Sequence, residues 1–221
     1  MIASFLWHEE PIAASHNRKT FDCGEPALNE YLQRYARQNH ESGGAKTFVA
    51  VADDAPLKVL GYYSLSPASL DYAKTPTLGS VEILDILRRK CQYFENRNAN
   101  VLSCTCGAEA QKTDICRPKD DESLQNLVRR GLGRYDVPIF RLGRLAVDKT
   151  LQGQKFGSRL LFCALERCFL VAQEVGGVAL LIDAKHAKAA AWYQIFGAVP
   201  LEDNPLQLVI PLSTVSSLIN K

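Results

Sequence analysis

The chain has 221 residues, of which 47% are hydrophobic and 23% are charged, and its formal net charge is +2. This composition is typical of a globular α/β protein and excludes a largely disordered chain, while the length favours one domain over residues 1–221. The sequence has no run of 18 apolar residues and no apolar signal-peptide core near Met1, so we expect a cytoplasmic protein without membrane contact.

The cysteines do not indicate a secreted disulfide framework, because the chain has an odd number of them, seven. Four lie in one polar stretch: Cys91, Cys104, Cys106 and Cys116. Their spacing lacks the paired two-residue gaps of zinc ribbons and fingers, so we predict free thiols and no metal site. A zinc site and a redox-sensitive pair are the alternatives. The remaining three cysteines are predicted to be buried.

The first part of the chain predicts a helix followed by a β-hairpin. Apolar residues recur at helical spacing over Glu25–Asn39. Thr47–Ala52 and Val59–Leu65 are apolar or β-branched runs separated by a turn-like segment, as a hairpin requires. From about 71 to 126 charged and small residues dominate, with one short periodic helix at 81–91. We interpret residues 71–126 as an insertion.

Regular structure is predicted again from Val137 onwards. Val137–Val147 is a long apolar strand that contains Gly143, which indicates a bulge or a close approach. A glycine-containing turn over Gln152–Gly157 then leads into a helix. The predicted elements that follow the turn are the helix Ser158–Ala172, the strand Val178–Ile182, the helix Ala187–Phe196 and the strand Leu206–Pro211.

A strand, a glycine turn and a helix in this order can bind an anion. The unpaired N–H groups and the positive end of the helix dipole face whatever lies above the turn. The segment matches neither the nucleoside-triphosphate loop nor the dinucleotide fingerprint, and a simple tight turn is the alternative. The later helix carries Trp192 and Tyr193 after three alanines. Tyr193 is either a core aromatic or a functional phenol.

Short motifs occur in a fixed order along the chain: Phe21 to Gly24, Thr47 to Val49, Gly61 to Leu65, Leu142 to Asp148, Gln152 to Gln154, Asp183 with Ala184, and Trp192, Tyr193, Phe196 and Gly197. In this order they resemble the GCN5-related N-acetyltransferase (GNAT) superfamily, and within it the bacterial acetyltransferase toxins of toxin–antitoxin modules. The resemblance implies the α/β GNAT fold, a mixed central sheet of about six to seven strands flanked by helices, with the insertion before the fourth strand.

The resemblance also implies acetyl-CoA as co-substrate. Backbone groups of Leu145, Ala146 and Val147 would hold the pantetheine arm. The residues that would hold the phosphates are Gln152, Gly153, Gln154, Lys155, Phe156, Gly157 and Ser158. The superfamily has glycine where this chain has Lys155, so a positive φ there would strain the lysine, although its ammonium can add a phosphate contact. Tyr193 would lie by the thioester sulfur and donate a proton to the departing CoA thiolate.

The toxins of this family acetylate the α-amine of aminoacyl-tRNA, which stops translation. The basic residues that would contact the tRNA phosphates are Arg129, Arg130, Arg134 and Arg144. A homodimer and a small DNA-binding antitoxin of the ribbon-helix-helix type are the implied partners. Two alternatives keep the fold: a GNAT enzyme for a small amine or a protein N-terminus, and a catalytically silent acetyl-CoA-binding module marked by Lys155.

Overall fold

A computed structural model describes residues 6–71, 136–213 and 215. Most of the predicted insertion, with its helix and its four cysteines, lies outside these residues, as do Arg129, Arg130 and Arg134. The described residues group into two compact units. The first contains residues 6–68 and 140–168, and the second contains residues 69–71, 136–139 and 169–215.

Seven strands form one sheet with the order β1-β2-β3-β4-β5-β7-β6. The strands are β1 (Trp7–Pro11), β2 (Lys46–Ala52), β3 (Ala55–Leu70), β4 (Val137–Val147), β5 (Ala179–Asp183), β6 (Val199–Pro200) and β7 (Gln207–Pro211). The described helices are α1 (Pro26–Glu30), α2 (Ala36–Ser42), α3 (Phe156–Val175) and α4 (Ala187–Gln194). The predicted mixed sheet of six to seven strands with flanking helices is confirmed, with seven strands.

In the first unit, β2 pairs antiparallel with both β1 and β3. The side chains of Val49 and Tyr62 are fully buried on the sheet face that carries α1 and α2. Phe21 and Leu32 pack onto the same face, together with Ala146 of β4. This apolar cluster holds the N-terminal helical segment against the strand that was predicted to bind the cofactor.

The predicted helix over Glu25–Asn39 is confirmed, but it is not a uniform α-helix. A π-helical turn, Tyr31–Tyr35, joins α1 to α2, and the N–H of Ala36 donates to the carbonyl of Tyr31. The extra residue rotates the following turn, so Leu32 and Ala36 are both fully buried. Gly43, with φ of +82°, ends the helix after Ser42 in the left-handed conformation that glycine favours.

The second unit contains β5, β7 and β6, which pair antiparallel. Residues 179–182 of β5 are all buried, as the continuous apolar run predicts. The helix α4 begins where the N–H of Ala189 donates to His186 Nδ1 at 3.0 Å. It ends before Gly197, whose φ is +84°. The predicted strand and helix of this region are therefore confirmed, with bounds that differ by one or two residues.

The two strands at the edges of the sheet were not predicted. The β1 sequence, Trp7–Pro11, has polar residues at three consecutive positions and ends in proline, and β6 has only two residues. The three predicted buried cysteines are confirmed, since Cys23, Cys163 and Cys168 are buried free thiols. None of the helices in the described part of the chain is long and apolar enough to cross a membrane.

Candidate acetyl-CoA site

The end of β4 is fixed by a buried carboxylate, Asp148, which is 6% exposed. Its side chain accepts hydrogen bonds from the N–H of Asp22 at 3.2 Å, and from the N–H and hydroxyl of Thr150 at 3.0 and 2.7 Å. Its own N–H donates to the carbonyl of Leu60 at 2.9 Å. Asp148 therefore joins β4, β3 and the Phe21 to Gly24 turn, and caps the short 3₁₀ turn Lys149–Leu151.

Gln152 braces the turn with its side chain. Its Nε2 donates to the carbonyl of Val147 and to the carbonyl of Cys23, both at 2.9 Å. Gln152 is one of the residues predicted to hold the phosphates, but its side-chain amide donates to the protein's own backbone. Its contribution is to hold the turn close to the end of β4.

An ion pair fixes the outer side of the same turn. Lys149 Nζ lies 2.7 Å from Asp22 Oδ2, and Asp22 Oδ1 accepts from the N–H of Gly24 and from Asn29 Nδ2, both at 2.8 Å. The hydrogen bond from Lys149, followed by those from Gly24 and Asn29, lowers the pKa of Asp22 to about 2. The carboxylate is therefore ionised at neutral pH, and it orders the Phe21 to Gly24 turn beside the loop.

The loop contains two left-handed residues, Gly153 with φ of +75° and Lys155 with φ of +61°. Lys155 is the one non-glycine residue with positive φ in the described part of the chain. The strain expected for a lysine at this position is therefore present. The loop keeps the backbone conformation for which the superfamily has glycine, although a lysine occupies the position.

The helix α3, which has 20 residues, begins directly after the loop. The N–H of Arg159 donates to the carbonyl of Lys155, and residues 156–158 before it form the first turn of the helix, where backbone N–H groups point beyond the helix end. Ser158 Oγ donates to the carbonyl of Lys155 at 2.6 Å, which closes this turn. Helix N-termini of this kind bind phosphate groups, as predicted for Gly157 and Ser158.

Gly61 of β3 allows α3 to approach the sheet at this place. A Cβ atom at Gly61 would lie 2.7 Å from Leu160 Cδ1, 2.9 Å from the Ala146 carbonyl oxygen and 3.3 Å from Phe156 Cε1. The glycine therefore sets the distance between the first turns of α3 and the part of β4 that contains Ala146. The sequence placed Gly61 in a motif but gave no indication of this contact.

Tyr193 lies on α4, in the second unit, and is 9% exposed. Its ring meets that of Trp192 at a centroid distance of 4.9 Å. Burial raises the pKa of Tyr193 to about 12. The phenol is therefore protonated over the whole physiological range, which is the state that a proton donor requires.

Arg144 is half-buried, and its guanidinium carbon lies 3.5 Å from the centroid of the Tyr31 ring. This cation–π contact fixes the side chain that was predicted to contact tRNA. The N–H donors of a guanidinium point outward in its own plane, so a contact between the guanidinium and the ring is compatible with a phosphate partner.

Three features of the site were missed from the sequence: the Asp148 cap, the Asp22–Lys149 pair and the inward orientation of the Gln152 amide. The Asp148 and Thr150 spacing is a local capping signal that the sequence does contain. The other two depend on residues that are far apart in the chain.

No family model matches the chain. It is 28% identical over 200 residues to a protein of Mycobacterium tuberculosis named tRNA-acetylating toxin, covering 90% of this chain and 89% of that one. It is 20% identical over 210 residues to a probable toxin TacT of Sinorhizobium fredii, with 92% and 89% covered. The chain is a relative of the GNAT toxins.

Solved structures of such toxins have the same fold. AtaT complexed with acetyl-methionyl-tRNAfMet matches with a TM-score of 0.68 and 22% identity, over 95% of this chain and 97% of that one. A point mutant of KacT matches with a TM-score of 0.69 and 23% identity, over 96% and 98%. The fold of this chain is therefore that of these solved toxin structures.

Proposed function

We propose that the protein is an acetyl-CoA-dependent N-acetyltransferase toxin that acetylates the α-amine of aminoacyl-tRNA and so inhibits translation. The similarity to the tRNA-acetylating toxin over 90% of the chain carries this proposal. The left-handed loop before α3 supports it independently, because it offers the phosphates of a CoA molecule the N-terminus of a long helix.

The co-substrate would lie along the first unit. Its phosphates would bind at the turn over Gln152–Ser158, where Gly153 and Lys155 set the loop and α3 begins. Its pantetheine arm would continue along Leu145, Ala146 and Val147 like an added strand. The solved complex of the AtaTR toxin pair with acetyl-CoA, which has a TM-score of 0.63 to this chain, supports this assignment at the level of the fold.

The transfer needs a neutral amine and a proton donor. The α-amine has a lower pKa than a lysine side chain, so part of it is unprotonated at neutral pH and can attack the thioester carbonyl. A carbon–nitrogen bond forms, the carbon–sulfur bond breaks, and the thiolate takes the phenolic proton of Tyr193. The proton released by the new amide nitrogen restores the phenol. The products are an N-acetyl-aminoacyl-tRNA and CoA.

The tRNA would be bound through its phosphates by the four arginines named above: Arg129, Arg130, Arg134 and Arg144. Aminoacyl-tRNA is a cytoplasmic substrate, so the protein would act there. A homodimer and a small antitoxin of the ribbon-helix-helix type complete the proposal. The AtaT–AtaR complex bound to DNA and the KacTA–DNA complex, with TM-scores of 0.59 and 0.65, support a DNA-bound toxin–antitoxin pair.

A cell-free translation system tests this function. We expect the wild-type protein to stop synthesis only when acetyl-CoA is supplied, and Tyr193→Phe to lose 10²- to 10⁴-fold in transfer rate, the usual contribution of general acid catalysis. Tyr193→Phe keeps the ring packed against Trp192, so it should fold normally, as circular dichroism would report. Inhibition without acetyl-CoA, or full activity of Tyr193→Phe, would contradict the proposed chemistry.

A further inference from the structure

The hydroxyl of Ser64 on β3 is buried without a hydrogen-bond partner. Ser64 is 1% exposed, and no partner for its Oγ lies within reach in the part of the chain that the structure describes. A buried hydroxyl without a partner destabilises a protein, typically by about 1–3 kcal/mol. Such a group indicates a ligand that supplies the missing hydrogen bond.

Gly143 of β4 leaves space next to this hydroxyl. A Cβ atom at residue 143 would lie 3.3 Å from Ser64 Oγ, and Gly143 is exposed. The oxygen therefore faces the position that a side chain at residue 143 would occupy, and, the adjoining residues of the chain apart, no other atom of the described residues lies within 4 Å of that position. We call this space the Gly143 notch.

Other polar groups surround Ser64 on the same sheet face. Thr47 is paired directly with Ser64 across β2 and β3, and its Oγ1 lies 3.4 Å from the hydroxyl of Tyr31. The guanidinium of Arg144, the next residue after Gly143, covers the ring of Tyr31. The hydroxyl of Thr47 therefore lies on the strand residue paired with Ser64, beside the position that a side chain at residue 143 would occupy.

The direction in which acetyl-CoA would run along β4 determines which end of the molecule lies at the Gly143 notch. This step rests on the proposed function. If the phosphates lie at the turn after β4, the pantetheine arm runs along β4 from Val147 towards Leu145. Gly143 follows two residues further on, about 7 Å beyond Leu145 in an extended strand. The notch is therefore at the thioester end of the arm, where the acceptor amine must arrive.

We propose that the Gly143 notch is the binding site for the acceptor's primary amine, and that Ser64 Oγ accepts a hydrogen bond from it. A hydroxyl that accepts one amine N–H leaves the nitrogen lone pair available for the thioester carbon. Ser64 is then a substrate-contacting residue that sets the position of the amine, and the glycine at position 143 keeps the approach open.

Steady-state transfer to aminoacylated tRNA tests this assignment with Ser64→Ala and Gly143→Ala. Loss of one hydrogen bond should raise the KM for aminoacyl-tRNA about three- to tenfold in Ser64→Ala, with the KM for acetyl-CoA unchanged. Gly143→Ala fills the notch and should raise the acceptor KM further. Ser64→Ala should also melt at the wild-type temperature or above it, because it removes an unsatisfied buried group.

Ser69→Ala is the matched control, because Ser69 is an exposed serine of the same strand whose hydroxyl donates to Asp136. It should have wild-type constants. An unchanged acceptor KM in Ser64→Ala, a change confined to the KM for acetyl-CoA, or a lowered melting temperature would each overturn the assignment. If the wild-type protein transfers no acetyl group to aminoacyl-tRNA, the proposed function itself fails, and that result is distinct from an effect confined to the variants.

Discussion

Lys155 has a backbone conformation that is unfavourable for every residue except glycine and, to a lesser degree, asparagine and aspartate. Its φ of +61° places the Cβ close to the following carbonyl. The flanking structure holds this conformation, since the Gln152 brace lies before it and the first turn of α3 follows it. Strain that persists in a loop of this kind is typical of a binding site.

The strain at Lys155 can be measured. We expect Lys155→Gly to have a free energy of unfolding about 0.5–1 kcal/mol greater than Lys155→Ala, because both remove the ammonium but only glycine adopts positive φ freely. Urea denaturation of the two variants gives this difference directly. Equal stabilities would contradict the left-handed conformation. A comparison of their acetyl-CoA affinities with that of the wild type reports the contribution of the ammonium itself.

At the scale of elements, the site depends on how β3, β4 and α3 pack together. Gly61 is the contact point, since a Cβ there would overlap with Leu160 and with the Ala146 carbonyl. A second cluster joins α3 to β1 and β3: Arg167 of α3 donates to Glu9 of β1 at 2.7 Å and to the Tyr63 hydroxyl of β3 at 3.0 Å. These contacts hold α3 in place, and its N-terminus is where the phosphates are proposed to bind.

Gly61→Ala should therefore affect stability and cofactor binding together. Overpacking of this kind destabilises by about 1–3 kcal/mol, and any shift of Ala146 or α3 disturbs the proposed pantetheine and phosphate contacts. Gly44→Ala is the control, because a Cβ there would meet nothing closer than 3.8 Å and its φ is not positive. Thermal unfolding and acetyl-CoA titration check both effects. A wild-type melting temperature for Gly61→Ala would refute the tight contact.

The elements with strong periodicity were predictable from the sequence, and those at the edges were not. Val137–Val147 was predicted with the bounds that the structure has, because its apolar run is long even though Arg141, Gly143 and Arg144 interrupt it. The π-helical turn at Tyr31–Tyr35 has no periodic signature distinct from an α-helix, and β6 is too short to show a pattern. Ser64 could not be recognised because its lack of a partner depends on its pairing with Thr47 and on Gly143 of another strand.

For the whole molecule, the small net charge of +2 means that no strong overall field attracts a nucleic acid. Recognition of tRNA would depend on local arginines and on the reactive end of the acceptor. In the proposed function, the phosphates and the pantetheine arm of acetyl-CoA and the Gly143 notch would lie along β4 and the turn after it. The decisive part of the proposed function is chemical, because the acceptor is the α-amine of the amino acid on charged tRNA and the same tRNA without its amino acid lacks that amine.

The most direct test is transfer from labelled acetyl-CoA to a pool of aminoacylated tRNAs, with the same pool stripped of its amino acids as control. If the protein acetylates aminoacyl-tRNA, the label appears on charged tRNA alone, and mild alkaline hydrolysis releases it as N-acetyl-amino acid. The Tyr193→Phe variant transfers little label. Label on the stripped pool, or none on the charged pool with a folded protein that binds acetyl-CoA, would contradict the proposed function.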